Sequence, residues 1–556
     1  MSDYRIVLVN PKNPRGYVYD FNPPFLEHIG LGYIAACLRK AGFSVKLINF
    51  EIDPDRSDSF FEEITKDKPH FVGFTTSFET ISSVLSLCQK MKERNSTIHI
   101  CLGGHHATFC ADAILEKNPC IDSIVRGEGE ITIVELASSL TIGRPLQNIK
   151  GLCYREGENI VKNLPRENIQ DLDQIPFPER DNLVSYSFSH GVPSNGILVL
   201  SSRGCYGRCS FCSVASFYRL AGRSSWRPRS AENFVDEIEY LNSKFGAVAF
   251  SISDDTFICP AMGSKQRAHK IASEIIHRDL GVLFSCSFRI DSLNPYDQDD
   301  IQLLRHLQKA GLFSVYLGLE SGCPKELKVY QKGITLKKVH QLLMVFRELG
   351  IPVEVGFIMF NPYSTVSTII TNAEFLISLD MGILFHHFSS KVQLQPGIAI
   401  INLLKAGGML KEPKDLSDVY YYKFQDPVVE TVADALDSIY GKVAVHDRMI
   451  LTYYLGIFYL INKIGRIKKT ASNALIRKSA DQVSGEFNEI IRKISTENLI
   501  LFQKTVSLAQ EGWSSGVFAG LSESFIRTNQ ELAINLGTLY NKQYAMVMEH
   551  VEGALN

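Results

Sequence analysis

The sequence predicts an α/β chain in three parts: an open, doubly wound sheet of Rossmann or flavodoxin-like type, a (β/α)6 partial barrel, and a helical C-terminal domain. Three observations predict it. Short β-rich runs alternate with helical ones from residue 4 to about 140, the alternation resumes near 196, and no strand rhythm survives beyond about 400. The boundaries that follow are 1–150, a hairpin and linker over 151–190, 191–400, and 401–556.

In the first part the strand runs are 4–10, 44–49, 70–76, 97–103 and 121–126. Between them, 29–41, 58–67, 79–94 and 108–117 carry apolar residues at helical spacing. A repeated βα unit of this kind gives a mostly parallel sheet, and such sheets bind ligands beyond the C-terminal ends of their strands. Thr76, the loop Gly103-Gly104-His105-His106 and the run Arg126-Gly127-Glu128-Gly129-Glu130 all stand at such ends.

Residues 151–190 are polar and carry Pro165, Pro176 and Pro178, a small hairpin followed by a linker. The second block has strand runs at 196–202, 247–254, 283–291, 314–321, 352–360 and 382–392. Helical stretches separate them at 231–244, 264–278, 297–310, 336–349 and 364–379. Six βα units are more than one open sheet needs and suit a barrel or partial barrel.

Composition narrows the function. Lys and Arg number 58 against 60 Asp and Glu, a net charge of -2, which argues against a broad nucleic-acid-binding surface. The longest uncharged apolar stretch, 449–462, is shorter than the roughly 20 residues that span a bilayer, so no membrane span is expected. The N-terminus shows no basic segment followed by a long apolar run, so no secretory signal is visible. Twelve cysteines in such a chain point to a reducing, cytoplasmic setting rather than a disulfide framework.

The sharpest signal is Arg203-Gly204-Cys205-Tyr206-Gly207-Arg208-Cys209-Ser210-Phe211-Cys212, directly after the first strand of the second block. Three thiolates at CxxxCxxC spacing can each ligate one iron of a [4Fe–4S] cluster, leaving the fourth iron without a protein ligand. An open position on a metal centre implies reaction there. The alternatives are a zinc site or three buried thiols; zinc needs a fourth ligand, and no Cys or His follows at finger spacing. The other nine cysteines show no second cluster spacing, which argues against a two-cluster enzyme such as a methylthiotransferase. Cys101 and Cys110 read as small apolar core residues.

With Phe211 before its last cysteine, the motif resembles the radical S-adenosylmethionine (SAM) superfamily. The resemblance implies that Cys205, Cys209 and Cys212 hold the cluster and that Phe211 packs beside it or beside adenine. The open iron would chelate SAM, and one electron would release a 5′-deoxyadenosyl radical from it. By position, Asp254 and Asp255 would receive the SAM ammonium and Arg289 its carboxylate. Glu320 and Ser321 would approach the ribose and methionine portion, and Phe357 would lie in the adenine-binding strand. The glycine-rich ending familiar on that strand is replaced by Asn361-Pro362-Tyr363-Ser364. Gln395-Pro396-Gly397 resembles the turn that closes many such domains.

An α/β domain in front of such a barrel, joined through a stretch ending in IPFPERD, resembles the cobalamin-binding class. Matching pieces are Leu31-Gly32-Tyr33-Ile34-Ala35-Ala36, Val72-Gly73-Phe74, Gly103-Gly104-His105-His106 and the Arg126–Glu130 run. The resemblance covers roughly 4–400 and implies cobalamin near Thr76, Gly103, Gly104 and His105. The Asp-x-His-x-x-Gly motif that supplies a cobalt ligand elsewhere is absent; the loop reads Asn10-Pro11-Lys12-Asn13-Pro14. Cobalt without a protein nitrogen below is therefore expected, and His28, His105 and His106 read as loop histidines.

Together these pieces imply a cobalamin-dependent radical SAM enzyme that methylates an unactivated carbon or phosphorus of a small molecule or peptide. A flavodoxin- or ferredoxin-type donor would supply electrons. Cyclisation or rearrangement, with or without cobalamin, is the alternative, and a non-catalytic iron–sulfur scaffold is the remote one. The last 150 residues read as an amphipathic bundle with an aromatic core around Tyr453 and Tyr454, or as a cap whose tyrosines touch substrate. Lys463 to Lys469 reads as a solvated basic face.

Overall fold

A computed structural model describes residues 4–13, 27–51, 60–181, 183, 196–222, 226–411, 413, 420–468 and 474–555, the side chains of 461–484 and 546–555 excepted. The first sheet contains β1 (Arg5–Asn10), β2 (Ser44–Asn49), β3 (Phe71–Thr75), β4 (His99–Gly103), β5 (Ser123–Val125), β6 (Leu152–Glu156) and β7 (Asn159–Lys162), in the order β2-β1-β3-β4-β5-β6-β7. The first five are parallel, and the β6–β7 hairpin continues the sheet antiparallel from β5. Period-2 alternation explains the layering. Ile6 and Leu8 face the core shared with Ala35, Leu38 and Leu136, while Val7 and Val9 face the one shared with Ile81, Val84 and Ile114. Strand order reverses between β1 and β3, and that switch point opens a crevice at the strand ends.

The linker is held by a close approach. Pro178 and Glu179 cross the helix Ile29–Lys40 at Gly32, where the Glu179 amide donates to the Gly32 carbonyl at 3.1 Å. A Cβ at Gly32 would lie 2.7 Å from the Glu179 carbonyl oxygen, so only glycine fits. The helix expected at 58–67 is observed as Phe60–Thr65, its start lying outside the described residues.

The second sheet has five parallel strands, β8 (Ile197–Val199), β9 (Ala249–Ile252), β10 (Leu283–Arg289), β11 (Leu312–Glu320) and β12 (Val353–Phe357), each beside its successor. The sixth expected strand, 382–392, is a correction. It holds the one-turn helix His386–Ser389, and its backbone pairs with the neighbouring segment through one isolated parallel bridge between Phe360 and Lys391. The reason is distant in sequence: Asp447 accepts the Phe385 and His386 amides at 3.0 and 2.7 Å, and His387 bonds the Met381 and Val355 carbonyls. Those groups are then not available to a ladder.

The C-terminal third is built on the helices Pro427–Lys468, Ala474–Glu511 and Ser515–Leu555, which pack on one another. A small antiparallel pair, Leu410–Lys411 with Tyr421–Tyr422, precedes them in a segment where no strand was expected. Tyr453 packs on Tyr540 and Tyr454 on Phe487, so the aromatic-core reading holds for both. No described helix is long and apolar enough to cross a membrane. The side chains of Lys463 to Lys469 lie outside the described residues.

Candidate active site

The cysteine loop leaves β8 through Ser201 and Ser202 and is fastened on every side. Ser210 donates its amide to the Tyr330 carbonyl and its hydroxyl to that of Val329, and its own carbonyl accepts from the Ile400 amide at 2.8 Å. Cys205 Sγ accepts from the Gly207 amide at 3.3 Å, and Cys209 Sγ from Arg289 Nη1 at 3.1 Å. Burial pushes the Cys205 thiol up and the Cys212 thiol up to about 11. Bare thiolates are thus disfavoured, whereas iron at the loop would hold them deprotonated, so the donor set fits a cluster. Among the described residues no group of three or more His, Cys, Asp or Glu is arranged to hold a single ion. The expected arrangement differs, with one thiolate on each of three irons.

Two of the residues expected to contact SAM are engaged within the fold. Asp254 accepts from the amides and hydroxyls of both Ser201 and Ser202 at 2.5 to 3.0 Å and is buried. Its oxygens anchor the start of the cysteine loop. Ser321 is likewise engaged. Its hydroxyl lies 2.7 Å from Glu326 and 2.9 Å from Asn372. Glu326 gathers Asn361, Ser364 and Asn372 as well, each at 2.8 Å. This buried carboxylate explains the Asn361-Pro362-Tyr363-Ser364 departure: side-chain donors fasten the loop to it.

Arg289 is engaged in the same way. Its guanidinium pairs with Asp291 at 2.9 and 3.1 Å, donates to the Lys332 carbonyl and Cys209, and lies 5.0 Å from the Tyr206 ring centroid. It serves the cluster loop, and a Cβ at Gly207 would strike it. Asp255 has no partner on one oxygen among the described residues, while the other accepts from the Gly204 amide at 3.0 Å. It is open to water in a recess closely walled by protein, and that enclosure, with Asp254 adjacent, raises its carboxyl to about 6. Glu320 carries a left-handed φ of 72° and pairs with Lys332 at 2.7 Å. The Phe357 carbonyl is taken by Ser390 at 2.8 Å, leaving its ring as the contact surface. Phe211 packs edge-on to Tyr330 with centroids 5.4 Å apart.

Phe211, Cys212, Glu320 and Phe357 share a cavity of about 880 Å³ that occupies the bore of the second sheet. Arg448, Leu451, Thr452 and Leu455 of the first long C-terminal helix complete its wall. The tyrosines do not enter it from that helix; their neighbours do. Sequence reasoning missed these four residues, and also the inward-facing serines on β9 to β11, whose alternation was visible.

At the β1/β3 switch point a second recess of about 270 Å³ is lined by His28, Thr75, Gly103, Gly104, His105, Gly127 and Gly129. Gly104 has φ 96°, and a Cβ there would meet Thr75 Oγ1 and the Thr76 carbonyl at 3.1 Å. The glycine wall fits a flat or slender group pressed on the backbone, as the tail of a corrin would be. The Thr76 hydroxyl bonds the Gly103 carbonyl at 3.1 Å, and its neighbour Thr75 lines the recess. His28 caps its helix by accepting from the Leu31 amide at 3.1 Å and lies 3.3 Å from Thr75 Oγ1. Close protein walls keep the His105 imidazole down at about 4.

The two sites meet. The short helix Val214–Phe217 follows Cys212, and Phe217 stacks on His105 with centroids 4.0 Å apart and planes at 7°. Below it, Arg203 and Arg227 close buried ion pairs with Glu128, and Arg203 with Glu130. Fold and site define a two-cofactor α/β enzyme, with a thiolate loop and bore in one unit and a glycine-lined recess in the other.

Comparison with known proteins agrees. The family described as "B12 binding domain" matches residues 24–137 and the "Radical SAM superfamily" matches 199–376. The chain belongs to the cobalamin-binding radical SAM enzymes. It is 30% identical over 385 residues to "Uncharacterized methyltransferase PH0819" of Pyrococcus horikoshii, covering 68% of this chain and 79% of that protein. It is 31% identical over 346 residues to the anaerobic magnesium-protoporphyrin IX monomethyl ester cyclase of Rubrivivax gelatinosus, covering 61% and 60%. The fold is similar to that of the cobalamin-dependent SAM radical enzyme OxsB, solved with aqua-cobalamin and SAM. The TM-score is 0.64 at 19% identity, covering 100% of this chain and 81% of that one. The methyltransferase TsrM from Kitasatospora setae gives a TM-score of 0.57 at 20% identity, covering 74% and 79%.

Proposed function

We propose that the protein is a cobalamin-dependent radical SAM methyltransferase acting on an unactivated carbon or phosphorus of a small molecule. One observation carries the reading: the loop that bears Cys212 on the wall of the bore runs straight into Phe217 on the wall of the glycine-lined recess. A substrate in the bore is thereby adjacent to both cofactor sites. Cys205, Cys209 and Cys212 would hold a cluster able to supply single electrons for SAM cleavage, and the recess would hold a corrin able to carry a methyl group.

The chain's own residues do the rest. Asp254 and Ser210 fix the loop, Asp255 presents one carboxylate oxygen with no partner among the described residues beside it, and the C-terminal helix walls one side of the bore. Each turnover would consume two SAM and two electrons from a flavodoxin- or ferredoxin-type donor. It would exchange one substrate hydrogen for methyl and release S-adenosylhomocysteine, 5′-deoxyadenosine and methionine. All twelve cysteines are free, which suits a cytoplasmic enzyme.

Cyclisation is the second reading, favoured by the resemblance to the monomethyl ester cyclases. Deuterated-methyl SAM separates the two: label in the product supports methyl transfer, and an unlabelled ring-closed product overturns it.

A further inference from the structure

The bore is lined by hydroxyls where a packed α/β barrel carries branched apolar side chains. Ser251 of β9, Ser285 of β10 and Ser314 of β11 are register partners on three adjacent strands. They form a row at the inter-strand pitch of about 4.8 Å. Ser253 and Ser287 stand two residues further along, toward the cysteine loop, and all five line the cavity. Ser314 is only 7% exposed. No side-chain hydrogen bond joins any of these five hydroxyls to a described residue. Beside the row, Tyr316 and Glu354 are register partners in the same wall.

Glu354 is a separate observation. Its carboxyl lines the cavity with no hydrogen-bond or ion-pair partner among the described residues. Burial alone holds it up at about 7. The cations in the wall are already engaged: Lys391 bonds Asp434 and Asp437 at 2.8 and 3.3 Å, and Arg448 has an interaction of its own. Among the described residues the wall thus presents no unengaged cation to a phosphate. Hydroxyls both donate and accept, so a row of them beside an unengaged carboxyl matches a group that does the same.

We propose that the deep bore binds an uncharged polyhydroxylated group, the sugar or polyol portion of the substrate, through the Ser251–Ser285–Ser314 row and Glu354. This inference rests on the reading of the bore as the substrate chamber and adds the substrate class.

The test is saturation-transfer NMR on the reconstituted protein with methyl glucoside and myo-inositol, against putrescine as cation and methylphosphonate as anion. Saturation is expected to reach the two polyols and to fall at least tenfold in a variant carrying S251A, S285A and S314A together. The single substitutions S314A and E354L, judged folded by circular dichroism, should each weaken it severalfold. No transfer to either polyol, equal transfer in folded variants, or preference for putrescine or methylphosphonate would overturn the assignment. Release of 5′-deoxyadenosine from SAM by the native protein, measured on the same preparation, tests the enzyme reading separately.

Discussion

Arg203 Nη1 lies 3.0 Å from Glu128 Oε1, and both side chains are buried. The pair joins the residue that opens the cysteine loop to the residue that follows the last parallel strand of the first sheet. Arg227 bonds the same carboxylate at 3.0 Å, so the loop cannot shift without moving the recess.

Glu128→Ala removes the carboxylate shared by two buried guanidinium groups. Breaking a buried pair in this way costs about 3–5 kcal/mol. Amide exchange should rise in peptides around 126–130 and 201–205, and retained corrin should fall. Burial alone would raise the Glu128 carboxyl, but Arg203 and Arg227 outweigh it and hold it below its ordinary 4.5. A depressed carboxyl contributes stability above its unfolded value that is lost as pH falls. The interface is therefore expected to loosen only below about pH 4.5, and loosening that begins at neutral pH would contradict the assignment.

The two aspartates after β9 should separate. Asp254→Asn disturbs four hydrogen bonds that shape the loop, so iron content after reconstitution should drop. Asp255→Asn should leave iron content intact and weaken SAM binding. Because the Asp255 carboxyl stands at about 6, a proton competes with a cationic ligand below that pH. SAM affinity should then fall up to tenfold per pH unit below 6, and the Asn variant should lose this slope. Equilibrium dialysis from pH 5 to 8 checks both.

Arg289→Met removes the N–H donor to Cys209 and a positive charge beside the cluster ligand. Donors to cluster sulfur favour the reduced state. The variant should need a lower potential to reduce its cluster, with the reduced fraction at fixed potential falling about tenfold, which is about 59 mV for one electron. Potentiometric titration followed by electron paramagnetic resonance reads this directly. An unchanged midpoint with weakened SAM binding would assign Arg289 to the SAM carboxylate.

What the sequence revealed was local. Period-2 runs gave β1 to β5, and CxxxCxxC after a strand marked the candidate cluster loop without help from tertiary contacts. What it hid was long-range. Gly382 to Val392 is as apolar as a buried strand, and only Asp447, far along the chain, turns it into a helical turn. Asp254, Ser321 and Thr76 sit at strand ends as a ligand contact would, yet each hydroxyl or carboxylate already has a partner from another element. Glu326 carried no motif, although the replacement of glycines by Asn361 and Ser364 marked where to search.

The loop after β1 carries no histidine, and its Asn10 bonds Asn49 at 2.9 Å; Pro14 lies outside the described residues. His28 is engaged as a helix cap, and His105 lies flat on Phe217. The Co(II) state of bound cobalamin should thus show no superhyperfine splitting from a protein nitrogen. A splitting that disappears in His28→Ala or His105→Ala would show that an imidazole reaches the metal.

The central claim is that one chain joins a corrin site to a SAM-cleaving cluster. The most direct measurement takes protein reconstituted with iron, sulfide and cobalamin, removes unbound cofactor, and quantifies bound corrin and 5′-deoxyadenosine formed from SAM and reductant in the same sample. About one corrin per chain is expected. 5′-Deoxyadenosine should form in the native protein, and Cys205→Ala, Cys209→Ala and Cys212→Ala should each abolish it along with the cluster's visible absorbance. SAM cleavage by a chain that retains no corrin, or cleavage surviving in any of the three cysteine variants, would contradict the account.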